Sequence, residues 1–253
     1  MNGFCSAGEL IKLENEDSSV IAVIGCGGKT SLIASLANEF RHRKVLVTPT
    51  TKIFPMNDEG IILRTTQGEC LSHKPVTGIQ CFGELNQKTG KLEALSIHLL
   101  EEIIPKYDLV LLEADGSAGM PCKGWLPDEP VIPPFCTHTI GVVTMNALGH
   151  PADNNFVLRL PEFLKLTGLQ QGEIITLKAL TDMVCADNGM FRTSLGRQSI
   201  FVNLSLVAPA VEDHATLLAV EEWLEIIQEE NRGRFACLAY GSVMSNFWKE
   251  VLP

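Results

Sequence analysis

Six consecutive residues, Gly25-Cys26-Gly27-Gly28-Lys29-Thr30, are of the types needed to hold an anion. Backbone N–H groups converge on a phosphate only where side chains are absent, and glycine also accepts the positive φ angles such a loop needs. A helix N-terminus behind the loop adds a positive dipole and free donors. A lysine adds full charge, and a threonine hydroxyl can ligate Mg2+. The long phosphate-loop pattern G-x-x-x-x-G-K-[ST] would need a glycine at Val23. The shorter G-x-x-G-K-T fits Gly25, Gly28, Lys29 and Thr30, with Gly27 as a further open backbone position. The competing reading is a glycine-rich strand-to-helix turn with a solvated lysine. Cys26 is open to two readings as well. A thiol at a helix N-terminus beside Lys29 would have a lowered pKa and could handle a sulfur or selenium species; otherwise it is a small spacer.

Two further stretches supply groups that fit the first. "KVLVTPTTKIF" ends an apolar run with Thr48, Thr50, Thr51 and Lys52. Hydroxyls and an ammonium at the carboxyl end of a parallel strand stand where open α/β sheets bind ligands, although threonine is also common at ordinary strand ends. "DLVLLEADGSAG" ends in Glu113 and Asp115, which point to one side if the chain stays extended. Paired carboxylates repel unless a cation or donors lie between them. Mg2+ held by Thr30 and by Asp115 or Glu113 would supply the cation, and the other carboxylate could orient a nucleophile. Lys29, Glu113 and Asp115 are therefore the candidate catalytic residues. In "CKGWLPDEPVIP", Lys123, Asp128 and Glu129 lie close along the chain to Asp115. They suit a loop that recognises substrate or closes over nucleotide, or an ordinary crossover.

Elements able to position these groups are legible as short branched runs. Strands are expected at Val20–Ile24, Lys44–Val47, Leu109–Leu112, Thr139–Val143, Ser199–Asn203 and Phe235–Tyr240. Helical stripes follow Thr30 (Leu32, Ile33, Leu36, Ala37, Phe40), run over Ser96–Ile104, and run from Val211 to Arg232 through Leu217, Val220, Leu224 and Ile227. Alternating strands and helices predict an α/β fold with a mostly parallel sheet and flanking helices. Residues 53–95 break the rhythm. There "GELNQKTGKLEAL" reads as a hairpin, so a small inserted β element is expected within one domain spanning 1–253.

The chain has 253 residues, 45% hydrophobic and 20% charged, with formal net charge −10. Such a balance argues against nucleic acid as the main partner, since backbone binding needs a basic face. The opening residues have no cationic stretch followed by an apolar run, and no apolar run approaches the length of a membrane span. A cytoplasmic protein with no membrane partner is expected. Its eight cysteines are then free thiols; none forms a CxxC, and with six scattered histidines no structural zinc site is expected.

Taken in order, "GCGGKTSL", "TPTTKIF", "EADGSAGMPCKGW" and "DEPVIP" resemble the YqeC family over about residues 10 to 245. Those proteins are described as accessory to selenium-dependent hydroxylases and linked to selenium cofactor biosynthesis. The resemblance implies a P-loop NTPase-like sheet and a nucleotide-dependent accessory role in maturing selenium-dependent molybdenum hydroxylases. That hydroxylase or its cofactor would be the partner. It carries Gly25, Gly28, Lys29 and Thr30 over as the phosphate loop, and Thr50, Thr51 and Lys52 as the second motif. Glu113 and Asp115 carry over as the acidic motif, and Lys123, Asp128 and Glu129 as the downstream one. A guanine-reading N-K-x-D motif is missing after "SIFVN", where Asn203-Leu204-Ser205-Leu206 stands. ATP with Mg2+ is therefore the expected ligand, with other nucleoside triphosphates open. Two other functions stay open: a metabolic kinase or Mur-like ATP-dependent ligase acting on a small acid, and a non-hydrolysing, nucleotide-gated cofactor chaperone.

Overall fold

The computed structural model describes residues 4–204 and 214–251. The first part of the chain runs β1 (Phe4–Cys5), α1 (Ala7–Leu10), β2 (Ser19–Gly25), α2 (Lys29–Glu39), β3 (Lys44–Pro49) and β4 (Lys52–Ile53). It continues through β5 (Ile62–Arg64), α3 (Gln67–Ser72), β6 (Gly78–Phe82), β7 (Glu84–Asn86), β8 (Lys91–Glu93), α4 (Ile97–Ile103) and β9 (Leu109–Glu113). Then come β10 (Cys122–Lys123), β11 (His138–Thr144), β12 (Val157–Leu158), α5 (Leu160–Thr167) and α6 (Leu177–Cys185). The described chain closes with β13 (Arg197–Asn203), α7 (His214–Glu230), β14 (Phe235–Ser242) and β15 (Phe247–Glu250).

Among the described residues ten strands form one sheet, ordered β1-β15-β14-β13-β11-β2-β9-β3-β6-β5. Pairing from β14 through to β5 is parallel, and β15 joins antiparallel to β14 and β1. This is the mostly parallel α/β architecture that the alternating pattern predicts. Successive residues of β2 enter opposite cores. Val20, Ala22 and Ile24 pack with α4 through α7, and Ile21 and Val23 pack with α1 and α2. A strand buried on both faces must be apolar throughout, and each fully buried aliphatic side chain contributes about 1.5–3 kcal/mol.

Each of the six expected strands falls within β2, β3, β9, β11, β13 or β14. The stripe after Thr30 is α2. The stripe at Ser96–Ile104 is α4, capped by the Ser96 side chain accepting from the Leu99 N–H. The last stripe is α7; its expected start at Val211 lies outside the described residues. Residues 53–95 divide. β5 and β6 extend the main sheet in parallel, while β7 and β8 form an antiparallel hairpin that pairs with β4 in a separate three-stranded sheet. Expecting one inserted β element there merged two layers: β5 is only three residues long and half-buried, too short to show a period. Among the described residues no helix is long and apolar enough to cross a membrane.

The connection after β2 leads to β3 on one side, and the one after β9 leads to β11 on the other. Divergent connections leave a crevice at the carboxyl ends of the strands, where such sheets place ligands. Register sets Val23 beside Glu113, Glu113 beside Pro49, Gly25 beside Val142, and Thr144 beside Asn203. The glycine-loop, threonine–lysine and acidic motifs therefore end at one edge.

Candidate functional site

The glycine loop turns from β2 into α2 with Gly25, Gly27 and Gly28 at φ +96°, +85° and +125°. Space is as restrictive as angle. A Cβ on Gly25 would lie 2.3 Å from the Val142 carbonyl oxygen, and one on Gly27 2.4 Å from Thr144 Cγ2. Asn203 Nδ2 donates to the Gly27 carbonyl at 2.7 Å, and Asn203 Oδ1 accepts from the Val243 N–H at 3.3 Å. One side chain at the end of β13 thus ties the loop to the segment after β14. No side chain caps α2 at Gly28.

Lys29 opens α2, yet its side chain is 4% exposed. Its ammonium donates to the Gly25 carbonyl at 2.7 Å and the Ser117 hydroxyl at 3.3 Å, and lies 3.4 Å from Asp115 Oδ1. Burial pulls its pKa down, but the negative charges of Asp115 and Glu113 outweigh burial and hold it above the ordinary lysine value. Lys29 is a fixed, charged group and not a solvated one.

Glu113 and Asp115 have separate surroundings. Thr30 donates its hydroxyl to Glu113 Oε2 at 2.6 Å. Burial raises the Glu113 pKa, Lys29 and the Thr30 hydroxyl oppose the rise, and nearby Asp115 adds to it. Asp115 is fully buried, and its carboxylate accepts from the Gly25 N–H at 3.2 Å and Trp125 Nε1 at 3.0 Å, with Lys123 Nζ at 3.5 Å. The candidate metal ligands therefore part: Thr30 and Glu113 stand at the opening, and Asp115 braces the loop from behind. The alternation that sets them on one side ends with β9 at Glu113, so Asp115 follows the turn instead.

Thr50 and Lys123 are also internal. Thr50 donates its hydroxyl to the Val131 carbonyl at 2.6 Å and its N–H to the Glu113 carbonyl at 3.0 Å. The Thr51 hydroxyl is buried without a hydrogen-bond partner. Lys123 is fully buried and bonds the Gly116 carbonyl at 2.8 Å and Glu129 Oε2 at 3.2 Å. Glu129 pairs in turn with Arg159, whose Nη2 lies 2.7 Å from Oε1. Asp128 is exposed and makes none of these contacts. A chain of alternating charge, Lys29-Asp115-Lys123-Glu129-Arg159, thus connects the glycine loop to the start of α5.

The open part of the site is a hollow of about 610 Å³. Gly27, Gly28, Lys29, Thr30, Glu113 and Lys52 line it, with Ser117, Ala118, Phe54 and Lys91. Lys52 pairs with Glu93 at 2.9 Å. Ala118, on the rim, sits at φ +51°, a left-handed conformation that a side chain normally avoids at a cost of about 1–2 kcal/mol. Among the described residues no group of three or more His, Cys, Asp or Glu could hold a metal ion alone. Mg2+ seldom needs one, since phosphate and water oxygens complete its shell. A hydroxyl beside a carboxylate whose pKa burial has raised is a donor pair that such a cation would suit.

Cys26 is 1% exposed, and burial pushes its thiol up to about 12. Lys29 lowers it but does not overcome desolvation, which favours the spacer reading over the activated thiol. None of the eight cysteines is in a disulfide. Sequence reasoning missed Ser117, Asn203, Trp125, Arg159, Phe54 and Lys91. Ser117 and Trp125 sit inside quoted motifs; Asn203 and Arg159 meet the site only through the fold.

Sheet, crevice and loop define a parallel α/β protein with a charged, buried lysine at a glycine-rich strand-to-helix turn. The chain matches the YqeC protein family over residues 21–161. It is 32% identical over 180 residues to the uncharacterized protein YqeC of Escherichia coli (strain K12), covering 69% of this chain and 70% of that one. This chain therefore belongs to the YqeC family. No solved structure matches it.

Proposed function

We propose that this protein binds a nucleoside triphosphate, ATP by default, with Mg2+ through a shortened phosphate loop on a P-loop NTPase-like domain. The whole chain is read as that domain, with the three-stranded sheet inserted on it. The observation that carries the reading is the Lys29 ammonium, held charged beside three positive-φ glycines at an uncapped helix N-terminus. In the bound state Lys29 and the loop N–H groups take the phosphates, and Thr30 and Glu113 hold the cation. Asp115 keeps Gly25 and Lys29 in place. Phosphoryl transfer needs mainly positioning and charge neutralisation, and the groups lining the hollow supply both. Its place in maturing selenium-dependent molybdenum hydroxylases rests on the family resemblance alone.

ATP affinity measured with and without Mg2+, for wild type and Thr30→Ala, tests the site. Mg2+ should tighten binding to wild type and have little effect on Thr30→Ala. A folded wild-type chain that binds no nucleotide under either condition contradicts the proposal. Selenium content of a hydroxylase from cells carrying wild-type or Lys29→Ala chain tests the role: a fall is expected, and equal content contradicts it.

A further inference from the structure

The hollow beside the glycine loop has a second set of walls that the phosphate reading leaves without a task. Lys52 and Ile53 come from β4, Phe54 follows directly, and Lys91 opens β8. Phe54 is 61% exposed, and Lys91 Nζ lies 4.6 Å from its ring centroid. A single exposed aromatic residue means little by itself. This one lines the same hollow as Lys29 and Thr30, and its position is fixed. Ile53 pairs with Leu92 across β4 and β8, both side chains being buried, and the Lys52–Glu93 ion pair closes the adjacent rung. Lys91 and Glu113 line the same hollow, so the ammonium of the small sheet and the acidic strand end face one space.

A ligand filling this hollow meets cations and an uncapped helix N-terminus at the loop, and an aromatic face held under an ammonium at the small sheet. Anionic groups suit the first and a planar π-system suits the second. We propose that Phe54, backed by Lys91, is the stacking platform for the base of the nucleotide whose phosphates occupy the Gly25–Thr30 loop. The inference rests on the phosphate-loop reading and adds to it the part of the ligand that the loop does not touch. Stacking on one ring is tolerant of base identity because every base has a π face. The platform therefore discriminates nucleotide from bare polyphosphate more than one purine from another.

The test is titration of the full chain with ATP, GTP and tripolyphosphate in Mg2+, using wild type, Phe54→Ala and Phe54→Trp. The exposed position makes both variants compatible with folding, which circular dichroism checks. Phe54→Ala should weaken ATP and GTP about 5- to 150-fold, the range that base–aromatic stacking supplies. Tripolyphosphate should stay within about twofold, and Phe54→Trp should retain nucleotide affinity. Unchanged ATP affinity in Phe54→Ala, or a parallel loss of tripolyphosphate, overturns the platform while leaving the phosphate loop standing. Wild-type chain that binds neither ATP nor tripolyphosphate overturns the loop reading and the platform with it.

Discussion

Glu113 is a carboxylate held partly against its will. Burial raises its pKa above the ordinary value of 4.5, with Asp115 adding to the rise. The native chain therefore holds this proton more tightly than the unfolded chain. Its contribution to stability is complete below about 4.5 and is lost as pH rises through the raised folded-state value. Glu113→Gln keeps an acceptor for the Thr30 hydroxyl and removes the charge. Chemical denaturation should show the variant gaining on wild type between pH 4 and pH 7, and a constant difference would contradict the assignment. Cys26 gives the opposite kind of test. With its thiol at about 12 and 1% exposed, it should escape iodoacetamide in the folded chain at pH 8. The partly exposed Cys5 should react first; peptide mass mapping that finds Cys26 labelled first would restore the activated thiol.

The turn from β2 into α2 carries two restrictions at once, an angle and a lack of space. Gly25→Ala meets both: φ +96° and a Cβ 2.3 Å from the Val142 carbonyl oxygen. A side chain in a left-handed conformation costs about 1–2 kcal/mol, and overpacking adds about 1–3 kcal/mol. Thermal denaturation should show a loss of at least about 2 kcal/mol, and a neutral substitution would mean that the loop relaxes freely. This turn was readable from sequence because its cause is local: a strand period, a glycine cluster and a helix period meet within 21 residues. The main strands were readable for the same reason, each being apolar on both faces. β5, with three half-buried residues, is too short to show a period, whereas α5 and α6 carry clear helical stripes that the sequence reading leaves out. Asn203 could not be read at all, because its bond to the Gly27 carbonyl spans 176 residues and depends on sheet order.

Across the molecule, the buried charges of Lys29, Asp115 and Lys123 form one connected system. Asp115 separates the ammoniums of Lys29 and Lys123, and Glu129 links Lys123 to Arg159. Spacing along the sequence indicated carboxylates and lysines near one another, but the order of the chain is set by the turn after β9. Removing one member of a buried pair costs about 3–5 kcal/mol, because the partner charge remains desolvated. Asp115→Asn should lower the unfolding free energy in urea by that amount, and a loss below about 1 kcal/mol would show that the two lysines find other partners. A net charge of −10 does not exclude an anionic ligand here, since the hollow is lined by three lysines, Lys29, Lys52 and Lys91, against one carboxylate, Glu113.

Calorimetric titration of Mg–ATP into wild type and Lys29→Ala, side by side, bears most directly on the central claim. A charge-assisted contact is worth about 1.5–3 kcal/mol, so the account predicts an affinity at least about tenfold weaker in the variant while its circular dichroism stays native. Equal affinity in the two chains would contradict the phosphate loop as the nucleotide site.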